Sequence, residues 1–385
     1  MSEPDWAWLP HSFVPFKWSA FWRKQSYLVR NRGLSGRVGR VAALMGLLSA
    51  NQATWLADRV VAPNWDRVQL NGPVFIIGHQ RTGSTLLHRT LATDPNVLAL
   101  TLKQMLLPSV AGQRLLDWII RRDAKRGGPL RARMIRRQER ELASIDGIHR
   151  LRLGSIEEDE FVFFVTYRTG MAITEAPSLA GVEGLSWLLD FPSWSEADQR
   201  KALGWYRACL LKAAYRAEAT KPNPDRWIAG KNPAFSQRIP QLLKVFPEAK
   251  FIHLVRSPIE TIPSRLSLMR TVWRARYPEF TGLTPADVEA VVADSARTYL
   301  MPLRDLPALP PERAVTVQYE DLTSDLPGTL RRIYAQLRLP GEPPAIAPAA
   351  DGGYRSGHAY SLEEFGLTEA DIRERLAPAF AAHGF

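Results

Sequence analysis

The sequence predicts an α/β protein with a parallel β-sheet core and helices on both faces. The first observation is a set of four short apolar runs that have the character of buried strands: Val74–Ile77, Trp227–Ala229, Phe251–Val255 and Ala314–Val317. The second is a set of helical stretches that separate or follow these runs: Arg200–Ala217, Pro240–Val245, Pro258–Met269, Ala286–Leu303 and Leu330–Leu337. Such alternation is typical of parallel sheets, which bind their ligands at the carboxyl ends of the strands.

The chain is predicted to consist of one α/β domain, residues 71–340, with an added segment at each end. The N-terminal segment, residues 1–70, is rich in aromatic residues and shows no strand alternation, so we expect helices that pack on the core. A hydrophobic lid or a contact with a membrane surface is the alternative interpretation of these aromatics. An insert at residues 100–222 must hold several helices and is expected to build the acceptor pocket, and residues 341–385 are expected to form a loop and a final helix.

The length, the composition and the cysteine count predict a globular protein in a reducing compartment. The 385 residues are 45% hydrophobic and 23% charged, which is enough to bury a substantial core. The single cysteine, Cys209, excludes an internal disulfide framework. The start of the chain does not resemble a secretory signal, and its longest early apolar stretch, Val41–Ala50, is too short to span a bilayer. We therefore expect a cytoplasmic protein.

The excess of basic over acidic residues favours an anionic ligand. Its formal charge is +11, from 50 basic and 39 acidic residues, and much of the excess lies in Arg121–Arg140. Binding of nucleic acid or of an anionic membrane is one interpretation of that run. A solvated helix face is the interpretation that we favour, because neither interleaved aromatics nor a nucleic-acid motif accompanies the run. We expect no nucleic acid as a partner.

The stretch Pro73–Asp94, PVFIIGHQRTGSTLLHRTLATD, runs from a strand through a glycine-bounded loop into a helix that begins at Ser84. This arrangement directs free backbone N–H groups at an anion. The loop fits both glycines and the final threonine of the nucleotide-binding motif GxxxxGK[ST], but Ser84 replaces the lysine. Because that lysine reaches the β- and γ-phosphates, its absence argues against a nucleoside triphosphate. Arg81 provides a fixed positive charge within the loop.

A second strand-to-helix junction lies in Lys250–Ser264, KFIHLVRSPIETIPS. Arg256 follows the strand, and Pro258 suits the first turn of a helix, where its missing N–H costs nothing. Ser264 comes two helical turns after Arg256, so both side chains can face the crevice at the edge of a parallel sheet. An arginine fork and a hydroxyl suit a second terminal phosphate.

Together these two junctions resemble those of the sulfotransferases that use 3′-phosphoadenosine 5′-phosphosulfate (PAPS). Gly78–Thr85 is similar to the 5′-phosphosulfate loop of that family, and Arg256 and Ser264 match the spacing of its 3′-phosphate motif. Trp227–Pro233, WIAGKNP, resembles the family's lysine-bearing strand end, and Val315–Leu322, VTVQYEDL, resembles its late strand and Tyr-Glu-Asp-Leu turn. The resemblance spans roughly Pro73 to Leu339 and implies a P-loop-like sulfotransferase fold with PAPS as the co-substrate and no metal.

The resemblance also implies roles for individual residues. Arg81 and Lys231 are expected to act on the transferring sulfuryl group and the leaving phosphate. Arg256 and Ser264 are expected to hold the 3′-phosphate, and Arg355 in the C-terminal segment is a further candidate for it. The expected donor loop comprises Gly78, His79, Gln80, Arg81, Thr82, Gly83, Ser84 and Thr85.

The general base is not supplied by the family pattern. The cytosolic branch of the family has a histidine two residues after the lysine, but here Lys231 is followed by asparagine and proline. Glu158, in the acidic cluster Glu157–Glu160, is the first candidate, because a carboxylate desolvated against the following aromatics would have its pKa raised toward neutrality. His149 and His79 are the second and third candidates.

The predicted function is sulfuryl transfer from PAPS to a hydroxyl of an apolar or amphipathic acceptor, such as a lipid, a glycolipid or another small molecule. The aromatic N-terminus and the helical insert favour such an acceptor over a charged polysaccharide. Two alternatives stay open at this point. One is a P-loop phosphotransferase, which would need a lysine in place of Ser84. The other is a non-catalytic basic protein that binds a polyanion or a membrane surface.

Overall fold

The sheet has five parallel strands, as far as the described part of the chain extends. The computed structural model describes residues 6–32, 37–129, 132–133, 152–171, 186–277, 280–345 and 361–385. The strands are arranged in the order β2-β3-β1-β4-β5, with these bounds: β1 Asn71–Gly78, β2 Val97–Leu98, β3 Trp227–Lys231, β4 Lys250–Val255 and β5 Ala314–Gln318. The fold class and the four predicted strands are confirmed. The sequence missed β2, whose two residues are too few to form a recognisable apolar run.

Helices flank the sheet. In chain order the described α-helices are α1 Trp18–Arg32, α2 Arg37–Val61, α3 Ser84–Leu91, α4 Leu102–Leu106, α5 Val110–Ala124, α6 Glu160–Phe164, α7 Glu196–Thr220, α8 Ile239–Val245, α9 Pro258–Arg276, α10 Pro285–Asp305, α11 Tyr319–Ser324, α12 Leu326–Leu337, α13 Glu369–Arg375 and α14 Ala377–His383. Where a helix was predicted to start late, a capping residue marks the true start. Thr284 caps α10 in this way, and Asp325 caps α12.

Strand β1 contributes side chains to hydrophobic cores on both faces of the sheet. Phe75 and Ile77 belong to the larger core, which includes residues of α7 to α10. Val74 and Ile76 belong to the smaller core, which is formed with α3 and α12. Successive residues of a strand point to opposite faces, so an apolar run buried on both faces is what a helix-covered parallel sheet requires.

The N-terminal helices are fixed to the core by aromatic packing. Trp55 of α2 is fully buried against Trp205 of α7, with ring centroids 4.4 Å apart. The ammonium group of Lys212 lies 3.6 Å from the centre of the Trp55 ring and pairs with Asp58 at 2.6 Å. Other aromatics of this segment, including Trp18 and Trp22, are about half exposed. The segment therefore packs on the core while leaving part of its aromatic surface in solvent.

The stretch predicted to form a Tyr-Glu-Asp-Leu turn is a short helix, α11, and that expectation is corrected. Glu320 and Asp321 lie in the first turn of α11, where acidic side chains interact favourably with the helix dipole. Among the helices of the described ranges, none combines the length and the hydropathy needed to cross a bilayer. The domain boundaries themselves stay predictions.

Candidate active site

The candidate site lies where β1, β3 and β4 end at one edge of the sheet. In the parallel register Ile76 pairs with Lys231 of β3, and Gly78 pairs with Leu254 of β4. Gly78 has a φ of 123°, and a Cβ atom at this position would lie 2.1 Å from the carbonyl oxygen of Leu254. Only glycine fits such a close approach. The three loops that follow these strands therefore start side by side.

The loop after β1 turns through two left-handed residues before α3 begins. Arg81 has a φ of 70° and Gly83 a φ of 79°. Gly83 is the N-cap of α3, so no side chain caps the first turn of this helix in the described structure. The hydroxyl of Thr82 donates to the carbonyl of His79 at 2.7 Å and stabilises the turn. An uncapped helix N-terminus behind a tight loop is a favourable environment for an anion.

The two predicted phosphate-binding segments meet at this loop. Arg81 Nε donates to Ser264 Oγ at 3.2 Å. Arg256 Nη1 donates to the carbonyl of Arg81 at 3.2 Å. The Arg256 guanidinium lies 4.0 Å from the centre of the Tyr319 ring, a favourable cation–π contact. Its Nε pairs with Glu260 Oε2 at 2.6 Å. The guanidinium groups at positions 81 and 256 therefore lie on the same edge of the sheet, as the hypothesis of a single bridging ligand requires.

Lys231 ends β3 beside the same loop. Its ammonium nitrogen lies 2.6 Å from Glu158 Oε1 and 3.3 Å from Thr85 Oγ1. The Lys231 side chain is buried, whereas that of Glu158 is 30% exposed. The predicted lysine, the predicted carboxylate and the predicted donor loop are thus in direct contact, although they are far apart in the sequence.

The desolvated carboxylate of the acidic cluster is Asp159, and not Glu158 as the sequence suggested. Burial raises the pKa of Asp159 to about 7, against an opposing hydrogen bond from Tyr206. The Tyr206 hydroxyl donates to Asp159 Oδ2 at 2.5 Å. Glu158 instead reaches toward Lys231 at the partly exposed end of the cluster. Adjacent side chains point in different directions, and the sequence alone does not reveal whether Glu158 or Asp159 faces the core.

The last carboxylate of the cluster, Glu160, is held by three neighbouring side chains. Its oxygens accept hydrogen bonds from Thr169 Oγ1 at 2.6 Å and from Asn232 Nδ2 at 2.7 Å, and Arg238 pairs with it at 3.3 Å. Asn232 directly follows Lys231. Pro233 stands at the position where the cytosolic branch of the family has its histidine. The residue before it, Asn232, fixes the acidic segment through its hydrogen bond to Glu160.

The histidines near the site are buried and neutral. Burial, followed by the charge of Arg265, lowers the pKa of His79 to about 3. Its Nε2 lies 2.9 Å from Ser295 Oγ, and its Nδ1 lies 2.8 Å from the carbonyl oxygen of Gln80. His88 of α3, which the sequence analysis did not single out, donates to the carbonyl of Ala229, and burial lowers its pKa to about 3. The candidates His149 and Arg355 lie outside the described residues.

A cleft of about 100 Å³ opens beside the loop and the acidic cluster. Its polar lining includes Gln80, Glu158, Gln237 and Arg238. The apolar lining comes from the insert and from the turn after β3: Met171, Leu188, Leu189, Phe191 and Pro233. The cleft therefore joins Glu158, the partner of Lys231, to an apolar wall.

Several residues of the site left no signal in the sequence. Tyr206 lies in the middle of a long helix, and nothing in its neighbourhood distinguishes it from a core tyrosine. Asp159 was part of the acidic cluster, but its burial depends on α7, which follows much later in the chain. Tyr319 belonged to a segment recognised by resemblance, although its contact with Arg256 was not foreseen.

The fold and this edge define a P-loop-like α/β protein with cationic side chains around a glycine-bounded loop. The sequence model described as the sulfotransferase family matches residues 73–343. This chain therefore belongs to the sulfotransferase family, and the resemblance inferred from its motifs is confirmed.

The chain is similar to two curated mycobacterial proteins. It is 29% identical over 273 residues to the omega-hydroxy-beta-dihydromenaquinone-9 sulfotransferase Stf3 of Mycobacterium bovis and to the protein of the same name from Mycobacterium tuberculosis. Each alignment covers 69% of this chain and 63% of the relative, so the chain spans less than two thirds of the length of these relatives.

Two solved structures share the fold. Sulfotransferase STF1 from Mycobacterium tuberculosis H37Rv is 20% identical and superimposes with a TM-score of 0.66, covering 94% of this chain and 91% of that protein. Sulfotransferase STF9 from Mycobacterium avium is 21% identical with a TM-score of 0.62, covering 90% of this chain and 86% of that protein. At these identities the likeness demonstrates the common fold.

Proposed function

We propose that this chain transfers a sulfuryl group from PAPS to a hydroxyl of a lipid-like acceptor. The observation that carries the proposal is the convergence of Arg81, Arg256, Ser264 and Lys231 on one glycine-bounded loop. Two phosphate-binding segments at one sheet edge suit a donor that carries an anionic group at each end of its ribose.

The chemistry of the loop supports PAPS as the donor in preference to ATP. Ser84 stands where a P-loop lysine would reach the β- and γ-phosphates. Arg256 and Ser264 provide an additional cation and a hydroxyl, which a 3′-phosphate could use and which ATP would leave without a partner. The family membership argues in the same direction against a phosphotransferase. A reaction without metal stays a prediction.

The proposed mechanism divides the work among the chain's own groups. PAPS supplies an activated sulfuryl group on a phosphate leaving group. Arg81 and Lys231 would stabilise negative charge on the transferring and leaving oxygens, together with the uncapped amides at the start of α3. Thr85 contacts Lys231 at 3.3 Å and would orient its ammonium group. These groups are held in place before the reaction begins, so little reorganisation accompanies the change in charge.

Glu158 is the group that we propose as the proton acceptor. It lines the cleft, contacts Lys231 at 2.6 Å and belongs to the cluster that the sequence singled out. Glu160 is engaged by three side chains, and Asp159 is buried, bonded to Tyr206 and absent from the lining of the cleft, so neither is as well placed to take a proton from a hydroxyl in the cleft. Because His79 is buried with both ring nitrogens in contact with neighbours, we rank it below Glu158.

The cleft supports an acceptor with an apolar body and a reactive hydroxyl. Met171, Leu189 and Phe191 provide an apolar wall, and Glu158 lies at the end nearest Lys231. The names of the Stf3 relatives specify a hydroxylated dihydromenaquinone derivative as their acceptor. A lipid-like alcohol is therefore the acceptor class that we propose for this chain. A cytoplasmic location remains part of the proposal and rests on the single cysteine.

The proposal is tested by following label from radiolabelled PAPS into the lipid and aqueous fractions of a cell extract, resolved by mass. We expect one labelled product in the lipid fraction that appears only when the chain is added, and no additional product when ATP labelled on its γ-phosphate replaces PAPS. In a parallel calorimetric titration, 3′,5′-adenosine bisphosphate should bind about tenfold or more tightly than ATP, because only the bisphosphate engages both phosphate segments. Equal affinity for the two nucleotides, without sulfated product, would contradict the proposal.

A further inference from the structure

Helix α5 is amphipathic in the inverted sense, with its polar face turned toward the protein. Gln113 is 2% exposed and donates to the carbonyls of Lys103 and Leu107. One turn later Asp117 pairs with Lys103 at 3.2 Å and with Arg216 of α7. Asp123, near the end of the helix, is also buried. Beyond Val110 and Gly112, the buried side of α5 is therefore polar, and Gln113 and Asp117 are bonded to groups of α4, Leu107 and α7.

The outward face of α5 is apolar. Leu115 is 50% exposed, Trp118 is 51% exposed and Ile119 is 37% exposed. These residues follow the spacing i, i+3 and i+4, so they form one continuous stripe on the helix. Ile120 is 45% exposed and widens the stripe. A surface helix of a globular protein normally turns such a stripe inward, and a contiguous exposed apolar patch marks a surface that binds something.

Basic side chains surround this stripe. Arg122 continues it at position i+7 from Leu115, and its guanidinium lies 5.5 Å from the centre of the Trp118 ring. Four exposed basic residues lie at the C-terminal end of the helix: Arg121, Arg122, Lys125 and Arg126. Within the described residues, none of these four has a carboxylate oxygen within 4.0 Å. The charge of this rim is therefore not neutralised by the neighbouring described surface.

We propose that the outward face of α5, defined by Leu115, Trp118, Ile119 and the basic rim, docks onto an anionic lipid bilayer. An apolar stripe with a tryptophan at its centre and arginine or lysine at its margin is the pattern of a helix that lies in the membrane interface. Each basic residue near an anionic leaflet adds to the electrostatic attraction, and several act here at one end of the helix.

The same residues disfavour the other occupants of this face. A second copy of the chain across a two-fold axis would offer the basic rim no acidic partner, because the exposed side chains of this face are apolar or basic. Nucleic acid suits the rim but offers no partner for Leu115 and Ile119, which lack the flat ring needed to stack on a base. An anionic bilayer satisfies both parts of the surface at once.

Docking through α5 would bring the candidate active site to the membrane surface. Helix α4 lies directly before α5 and packs on α6, which carries Glu160. Lys103 of α4 is also joined to the segment before the acidic cluster, since its N–H donates to the carbonyl of Leu153 at 2.9 Å. The inference does not depend on the proposed function, because membrane binding can be measured without PAPS and without an acceptor.

The experiment is co-sedimentation of the full chain with vesicles of phosphatidylcholine alone or mixed with phosphatidylglycerol. We expect binding to the anionic vesicles that weakens as salt is added. Trp118→Ser should reduce the partition coefficient by about tenfold through the loss of buried apolar area, and the double variant R121E/R122E should abolish the preference for anionic lipid. The midpoint of thermal unfolding should be unchanged in W118S, because the side chain is exposed.

Trp22→Ser is the matched control. Trp22 lies on α1, is 56% exposed, and belongs to the aromatic N-terminal segment that offers an alternative contact surface. W22S should bind vesicles as the unmodified chain does. If W22S loses binding and W118S retains it, the docking surface lies on α1 and the inference is wrong.

A site-specific probe provides an independent measurement. Cys209 is the single cysteine of the chain and is buried, so Ile119→Cys introduces one accessible thiol. A nitrobenzoxadiazole label at this position should shift to the blue with anionic vesicles, whereas the same label in S324C, on the exposed surface of α11, should not. An unshifted label at position 119, or self-association that W118S removes in the absence of lipid, would overturn the inference.

Discussion

The donor wall and the acceptor wall of the candidate site are built from different kinds of segment. The donor wall consists of Gly78–Thr85 and Arg256, which directly follow the ends of β1 and β4, and of Ser264, which lies in the second turn of the helix after β4. The acceptor wall consists of residues 158–164, which include α6, and residues 186–193; both segments come from the insert and contact α7 or α10. The comparison indicates that sheet register fixes the donor geometry, whereas long-range packing of helices fixes the acceptor geometry.

The two walls also differ in their electrostatics. On the donor wall the guanidinium of Arg256 remains partly exposed, with 21% of its side chain in contact with solvent. On the acceptor wall Asp159 and Glu160 are buried and bonded to Tyr206, Asn232 and Arg238. The donor wall is suited to receive an anion from water. The acceptor wall is a preformed network in which replacing a single group should affect its neighbours.

The largest expected effect is on the donor wall. Arg81→Ala removes the cation within the loop, and kcat/KM for sulfuryl transfer should fall by about a hundredfold to a thousandfold. Initial rates at saturating acceptor measure this loss. R304A serves as the control, because Arg304 is an exposed arginine that, among the described residues, pairs with its neighbour Asp305. A rate for R81A close to that of the unmodified chain would mean that the role of Arg81 is assigned wrongly.

The next effect distinguishes the acceptor wall from the donor wall. Glu158→Gln should lower kcat by about a hundredfold, because the proton acceptor is lost, while the affinity for 3′,5′-adenosine bisphosphate changes little. Steady-state kinetics and calorimetry measure the two quantities separately. Glu157→Gln is the adjacent control and should keep kcat near normal. If E158Q mainly weakens nucleotide binding, Glu158 positions Lys231 and is not the base.

A smaller effect isolates the 3′-phosphate segment. Arg256→Ala should weaken binding of 3′,5′-adenosine bisphosphate by about tenfold, and Ser264→Ala by a few fold, because one charged and one neutral hydrogen bond are lost. Adenosine 5′-phosphosulfate lacks the 3′-phosphate, so its affinity should be nearly the same in all three proteins. Equal losses for both nucleotides would indicate a general collapse of the loop.

The smallest effect concerns stability and pH. Burial raises the pKa of Asp159 to about 7 in the folded chain. At a pH between the lower pKa that this carboxyl has in the unfolded chain and pH 7, the unfolded chain has therefore released a proton that the folded chain keeps. Stability should therefore decrease as pH rises through this window, by at most about 1.4 kcal/mol per pH unit, and become level above it. Asp159→Asn should remove this slope in chemical denaturation. A slope that persists in D159N would assign it to another group.

The sequence predicted the donor wall well because its signals are local. The glycines, Arg81 and Ser84 lie on one continuous stretch. Arg256 lies just before α9, and Ser264 lies in the second turn of that helix. Lys231 was recognised only by resemblance. The inverted face of α5 escaped notice, because the basic run beyond it was treated as a solvated helix face and the buried polar partners of Gln113 and Asp117 come from α4 and α7. The burial of Asp159 was also unpredictable, since it depends on a tyrosine far along the chain.

The close approach at Gly78 has a consequence for how this protein should lose activity on heating. Gly78 is the last residue of β1, pairs with Leu254 of β4 and is the first residue of the donor loop, so separation of β1 from β4 would displace the loop as well. Nucleotide capture and sheet integrity should then disappear at the same temperature, with no intermediate range in which a folded chain has lost its ligand. A ligand that binds the donor wall would accordingly protect the whole sheet from melting.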